Sequence, residues 1–206
     1  MLVKSIMVSK ENLTTVTPEV SIKKALELLN EKGYLSLPVV DGQKFYGAIS
    51  KEKIYSFYFE KGEDKKSVLE DFTVEQLLRK DIPTIETWKE VENAVVLLES
   101  QKIPFVAVVD EFEDFKGILT HKAVFQQYTQ VFGLNKGKRL AVIAFDVPGQ
   151  ISKLARILTE NNADIISFVA VDPESVTEVK EIVVRMKTDK IDKIEEEVRA
   201  AGFKII

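Results

Sequence analysis

The chain says the same thing twice. Thr15-Val16-Thr17-Pro18 leads to Ala25, Leu28 and Leu29, then Pro38-Val39-Val40-Asp41, then Gly47-Ala48-Ile49-Ser50. Thr84-Ile85-Glu86-Thr87 opens the same succession, followed by Ala94, Leu97 and Leu98, then Ala107-Val108-Val109-Asp110, then Gly117-Ile118-Leu119-Thr120. The offset is 69 residues from Asp41 to Asp110 and 70 from Gly47 to Gly117, so the second copy holds one extra residue in its Asp-to-Gly turn. A period this long, present only twice, implies two like halves that bury a shared face rather than a stacked solenoid. Such pairs leave clefts between the copies, where a small ligand sits. A binding module is the first reading.

Composition narrows the chemistry. Hydrophobic residues make up 45% of the 206 and charged residues 30%, with a net charge of −4. That is ordinary for a globular protein. A duplex-binding surface needs concentrated basic charge to neutralise phosphates, and the densest basic stretch, Lys136 to Arg139, is short. We therefore expect no nucleic-acid partner. No apolar run approaches the roughly 18 residues that span a bilayer, and Met1 to Leu13 lacks the apolar core of a secretion signal. No membrane association and a cytoplasmic location are expected. One histidine, His121, and no cysteine exclude a Cys–His pair, a disulfide and a multi-histidine metal site. Phosphate-binding Gly-x-x-x-x-Gly-Lys-Ser/Thr and nucleophile-elbow Gly-x-Ser-x-Gly motifs are absent too. Without a nucleophile–base constellation an enzyme is not expected, and no cofactor is required.

In the first copy, Ile22, Ala25, Leu26, Leu28 and Leu29 recur at helical spacing, with Ser21 as cap and Gly33 as stop. Leu37 to Val40 reads as a buried strand, Asp41-Gly42 as a turn, Phe45 to Ile49 as a second strand, and Lys51 to Glu60 as a helix. The second copy predicts a helix over Val91 to Gln101, strands over Phe105 to Val109 and Phe115 to Leu119, and a helix from His121 to Phe132. Lys61 to Lys66 is a charged loop between the copies, and Val74 to Lys80 a short helix mirroring the segment around Ile6 and Met7. Leu134 to Lys138 has the polar, glycine-bearing composition of a linker. Beyond it come a strand (Arg139 to Phe145), a helix after Pro148-Gly149, and strands from Ile165 to Val171 and Glu178 to Met186 around a turn at Asp172 to Thr177. A helix striped by Ile191, Ile194, Val198 and Ala201 precedes a last strand, Phe203 to Ile206. The order β-α-β-β-α-β is ferredoxin-like. The fold class is thus α/β (α+β). A second domain this small gains stability by pairing its sheet with another copy.

The two copies resemble the paired motifs of cystathionine-β-synthase (CBS) domains. The residues that carry this are Val16-Thr17-Pro18, Ala25, Pro38-Val39-Val40-Asp41 and Gly47-x-x-Ser50, with Thr84-Ile85, Ala94, Val108-Val109-Asp110 and Gly117-x-x-Thr120. They place a CBS pair at 1–134, in copies of about 1–66 and 67–134. Residues 139–206 resemble an ACT domain through Asp146-x-Pro148-Gly149, the following helix, and Asn162-Ala163-Asp164-Ile165. The combined order is similar to acetoin-utilisation AcuB-type proteins. The resemblance implies a regulatory homodimer. Its CBS clefts would take an adenine nucleotide (AMP, ATP, S-adenosylmethionine or cyclic di-AMP), and its ACT-like part an amino-acid effector. The downstream protein target is not named by the sequence.

On that resemblance the nucleotide-binding set is Thr17, Ser36, Pro38, Ser50, Lys51 and Lys53 in the first copy. Thr84, Phe105, Thr120, His121 and Lys122 complete it in the second. Nucleotide-binding CBS motifs carry Ser/Thr three residues after the glycine and Asp six after it; the carboxylate accepts from both ribose hydroxyls. Here Ser50 and Thr120 supply the hydroxyls, but Lys53 and Ala123 stand at the acidic positions. Lys51, Lys53, His121 and Lys122 would make the clefts positive, suiting a polyphosphate or cyclic dinucleotide; alternatively Lys53 is a solvated helix residue and His121 a surface one. Phe105 has two readings, stacking on adenine or filling the core. The aromatics Tyr55, Phe57, Tyr58, Phe59, Phe125, Tyr128 and Phe132 read as a dimer face or as internal core. In the ACT-like part Asp146, Gln150, Ile151, Asp164 and Ile165 are the effector candidates, the two carboxylates for an ammonium group and the helix start near Gly149 for a carboxylate. Asp146 as a plain turn or cap residue is the other reading. The competing function is a ligand-free assembly protein, which the missing ribose carboxylates favour.

Overall fold

Each CBS-like copy completes its sheet with a segment leading into the other. The structure, a computed structural model, describes residues 1–61, 69–172 and 178–206. In the second copy β5 (Phe105–Val109) pairs antiparallel with β6 (Phe115–Thr120), while β4 (Thr84–Glu86) runs parallel to β5. The far edge of β6 is taken by β1 (Val8–Ser9), from the start of the first copy. In the first copy β2 (Ser36–Asp41) pairs with β3 (Lys44–Ser50); Val16 bridges β2 in parallel and Arg79 bridges β3. Arg79 thus does for the first copy what Val8 does for the second. Both hairpins bulge at the same place, between Val39 and Val40 and between Val108 and Val109.

The helices follow their caps and stripes. In α1 (Ile22–Lys32) the Ser21 hydroxyl accepts from Lys24 N–H at 3.3 Å, and Gly33, at φ 67°, ends the helix in the left-handed conformation. Ile22, Ala25 and Leu29 along its inner stripe are fully buried. Burying a side chain the size of Leu29 contributes about 2 kcal/mol. After β3 comes α2 (Lys51–Glu60), and α3 (Val91–Ser100) and α4 (His121–Val131) repeat the plan. Val74 to Lys80 departs from its expected helix: one 3-10 turn (Val74–Gln76) closes with a turn at Leu77, and Arg79 then bridges β3 through its backbone. Of the aromatics near α2 and α4, Phe57 packs edge-on to Phe72 at 4.8 Å, whereas Tyr55, Phe59 and Phe125 are exposed. Most of the loop 61–66 and of the turn 172–177 lies outside the described residues.

The chain divides into compact units at 1–125 and 126–206, each with its own core. The second unit runs β7 (Lys138–Phe145), α5 (Gln150–Glu160), β8 (Asp164–Val171), β9 (Val179–Lys187), α6 (Ile191–Ala200) and β10 (Lys204–Ile205), and its four strands form one antiparallel sheet. Its order is β10-β7-β9-β8, the ferredoxin-like arrangement. Leu154, Leu158, Ile194 and Val198 of the helices seal it against Leu140, Val142 and Val184. The stretch read as a linker is held down. Just ahead of it Gly133 is buried and Ser167 Oγ donates to Phe132 O at 3.1 Å; within it a Cβ on Gly137 would stand 2.2 Å from Met186 O. Polar composition there reflects tight turns, not freedom.

Candidate functional site

Within the first unit a cleft of about 1180 Å³ is lined by residues of both copies. One wall comes from Leu35, Ser36, Ala48 and the start of α2, Ser50 to Lys53; the other from Leu77 to Asp81, Gln101 to Pro104 and His121. Its floor is apolar, since Ala48, Leu77, Leu78 and Ile103 are buried hydrophobic side chains. Its rim is charged. Lys51, Lys53, Arg79, Lys80 and Lys102 outnumber Glu52 and Asp81, five cations to two carboxylates, in a chain whose net charge is −4.

Local structure sets how those charges are used. Ser50 Oγ accepts from Lys53 N–H at 3.1 Å and caps α2, so the positive end of the helix dipole opens into the cleft. Arg79 is already engaged: Nε donates to Asp81 Oδ1 at 2.8 Å, Nη2 to Oδ2 at 3.0 Å, and Nη1 to the Lys102 carbonyl. The hydrogen bond from Arg79 holds the Asp81 carboxyl below its usual range, and Asp81 in turn raises the guanidinium. Among the described residues Lys51, Lys53, Lys80 and Lys102 form no ion pair. Four unneutralised ammonium groups around an apolar floor suit an anion with a flat apolar part.

The residues singled out in the sequence divide. Ser36, Ser50, Lys51, Lys53 and His121 line this cleft. Thr17, Pro38, Thr84, Phe105, Thr120 and Lys122 do not. Pro38 is buried in β2, with its carbonyl accepting from Val16 N–H, and Thr84 is exposed on β4. Thr120 Oγ1 caps α4 through Ala123 N–H at 3.2 Å. Phe105 is not free to stack on adenine: it is 3% exposed and edge-on to Phe45 at 6.4 Å, so the core reading holds. Sequence reasoning missed Arg79, Lys80, Asp81 and Lys102. The repeat carried a signal for Lys102 alone, which at the offset of 69 stands before β5 where Gly33 stands before β2.

Residues 3–60 match the CBS domain. The CbpB protein of Listeria monocytogenes, solved in complex with c-di-AMP, is 31% identical with a TM-score of 0.57; the match covers 65% of this chain and 98% of CbpB. This chain belongs to the CBS-domain family. The CBS-pair protein CBSX2, known from Arabidopsis thaliana and solved in complex with AMP, is 28% identical with a TM-score of 0.55, over 63% of this chain and 97% of CBSX2. Inosine-5'-monophosphate dehydrogenase of Korarchaeum cryptofilum is 28% identical over 121 residues, 59% of this chain and 23% of that enzyme. The chain spans 23% to 33% of the length of the curated relatives it matches. Among the described residues of this CBS protein no helix is long and apolar enough to cross a membrane, and no group of three His, Asp or Glu side chains is placed to hold a metal.

The second unit has a hollow of its own, about 290 Å³, lined by Ala144 to Ser152, Lys180 and Ile182. Asp146, Gln150 and Ile151 are at this hollow. Lys180 Nζ sits 3.0 Å from Asp146 Oδ1, and that hydrogen bond raises the lysine's pKa. Asp164 and Ile165 are elsewhere. Phe145 pairs with Val179 at one end of β9, whereas Asp164 pairs with Lys187 at the other, its carboxylate 3.6 Å from Lys187 Nζ. From Val179 to Lys187 the strand runs about 26 Å, at roughly 3.3 Å per residue. The two carboxylates expected to share an ammonium group do not converge within one chain.

Proposed function

We propose that this CBS protein is a non-enzymatic regulatory sensor whose cleft binds an adenine nucleotide chiefly through its phosphates. The carrying observation is the set of unpaired lysines around the capped start of α2, above an apolar floor. Relatives solved with AMP and with c-di-AMP support the ligand class. Buried Leu77, Leu78 and Ile103 offer the base an apolar seat, while Lys51, Lys53, Lys80 and Lys102 meet the phosphates. Lys53, in place of the ribose carboxylate, forgoes a charge-assisted hydrogen bond of about 1.5–3 kcal/mol. It adds a cation that an anionic ligand can use and neutral adenosine cannot. A cyclic dinucleotide or polyphosphate therefore binds better than AMP, and adenosine worst.

The test is a thermal-shift and calorimetric series with c-di-AMP, ATP, AMP, S-adenosylmethionine and adenosine. Ligand binding to the native state raises the melting temperature by mass action. Expected is the order c-di-AMP or ATP, then AMP, then adenosine, with affinity falling as salt rises. Lys53→Asp narrows the gap between AMP and c-di-AMP. Silence from every nucleotide would leave the ligand-free assembly protein as the better reading.

On the same reading the second unit is an ACT-like regulatory domain. Its hollow takes an amino acid, with the carboxylate toward Lys180 and the start of α5 and the ammonium group toward Asp146. Titration of a panel of amino acids into the protein tests this; no heat from any of them refutes it. The exposed rings of Tyr55, Phe59 and Phe125 provide the apolar face for a homodimer, which sedimentation checks.

A further inference from the structure

We infer that each chain offers one working cleft, beside Ser36 and Ser50, and that the pseudo-symmetric position beside Phe105 and Thr120 is filled by the protein's own side chains. The inference rests on the sensor reading and adds the number of ligands and the residues that set it.

The repeat makes the comparison residue by residue. An offset of 69 carries Ser36 onto Phe105, and an offset of 70 carries Ala48 onto Ile118, Ser50 onto Thr120 and Lys53 onto Ala123. Ser36, Ala48, Ser50 and Lys53 all line the open cleft. At their counterparts a hydroxymethyl becomes a benzyl group and a methyl becomes a sec-butyl group. Both changes add volume where a ligand would need space.

Packing shows where that volume goes. Phe105 is 3% exposed and sits edge-on to Phe45, whose ring stacks on Phe115 with centroids 5.4 Å apart. Phe45 and Phe115 are themselves counterparts at an offset of 70, so this pair obeys the repeat and Phe105 breaks it. Ile118 is 7% exposed and faces Val8 across the β1–β6 pairing. Ala123 is 8% exposed where Lys53 is open to solvent. A core packed at crystal-like density does not yield such a space to a nucleotide.

Charge does not decide between the sides. At an offset of 69 the cleft's Gln101 and Arg79 fall on Lys32 and Lys10, so the other side is not short of cations; Lys32 lies 3.2 Å from Glu31, and Lys10 is bonded to the Gly42 carbonyl. Volume decides, through Phe105 and Ile118.

Titrating the full chain with c-di-AMP at low salt counts the sites. Expected is saturation at no more than one ligand per chain, and a loss of at least 100-fold in affinity for Ser36→Phe, which copies the plug into the open cleft. Should Ser36→Phe fail to fold, Lys53→Glu at the exposed rim is expected to lose at least 10-fold. Two ligands per chain, or a Ser36→Phe or Lys53→Glu protein with wild-type affinity, overturns the single-cleft inference while the sensor reading stands. Wild-type protein that binds none of the nucleotides overturns both.

Discussion

Gly47 and Gly117 are where one copy's backbone enters the other's sheet. A Cβ on Gly47 would lie 2.1 Å from Arg79 O, and one on Gly117 2.2 Å from Val8 O. Absence of a side chain lets those carbonyls in, so that Arg79 N–H reaches Ala48 O at 2.8 Å and Ala48 N–H reaches Arg79 O at 3.0 Å. Gly47→Ala and Gly117→Ala are each expected to cost about 1–3 kcal/mol, as overpacking does, read as a lower urea midpoint at unchanged slope. An unchanged midpoint for either would show that the approach is not that close. Ser50 carries two duties that separate by substitution. Ser50→Ala removes the cap of α2 at about 1 kcal/mol. Ser50→Asp restores the cap but repels phosphate, so it is expected to keep the wild-type melting temperature and lose c-di-AMP binding. The glycines were visible as landmarks of the repeat, and Ser50 as its hydroxyl. Arg79 was not: its backbone completes a sheet and its side chain anchors a turn, and neither use leaves a pattern in the sequence.

At the scale of elements, long apolar runs proved legible and short borrowed pieces did not. β5 is the stretch that Phe105 to Val109 announces, because five consecutive residues there are buried and an apolar run records that. β1 holds two residues, Val8 and Ser9, too few for any periodicity, yet it closes the edge of β6. Val3, fully buried ahead of it, belongs to the core of the second copy. Removing residues 1–9 is therefore expected to destabilise the second copy by at least the 1.5–3 kcal/mol that burying a valine-sized side chain contributes. Uncovering an edge strand should also promote association. Chemical denaturation and light scattering check this, and a truncated protein of wild-type stability would remove β1 from the account. Gly137 teaches the complementary lesson. The composition of Leu134 to Lys138 signals a linker, but composition cannot distinguish a free segment from one whose turn is pinned, as Gly137 is against Met186 of β9.

The whole molecule has cores that do not share residues. One pair of clusters, around Leu29 and around Phe115, lies within 1–125, and a third, around Leu154, lies within 126–206. Cooperative unfolding follows cores, so calorimetry of the full chain should resolve two transitions. Leu29→Ala and Leu154→Ala each empty a fully buried position, which costs about 2–5 kcal/mol where the surroundings relax little. Each is expected to lower one transition and spare the other, which assigns the two peaks. c-di-AMP should then raise the transition that Leu29→Ala lowers, because the cleft lies wholly within that unit. If c-di-AMP raised only the transition that Leu154→Ala lowers, the ligand would be sitting in the wrong unit, and the cleft beside Ser36 would lose its claim to it.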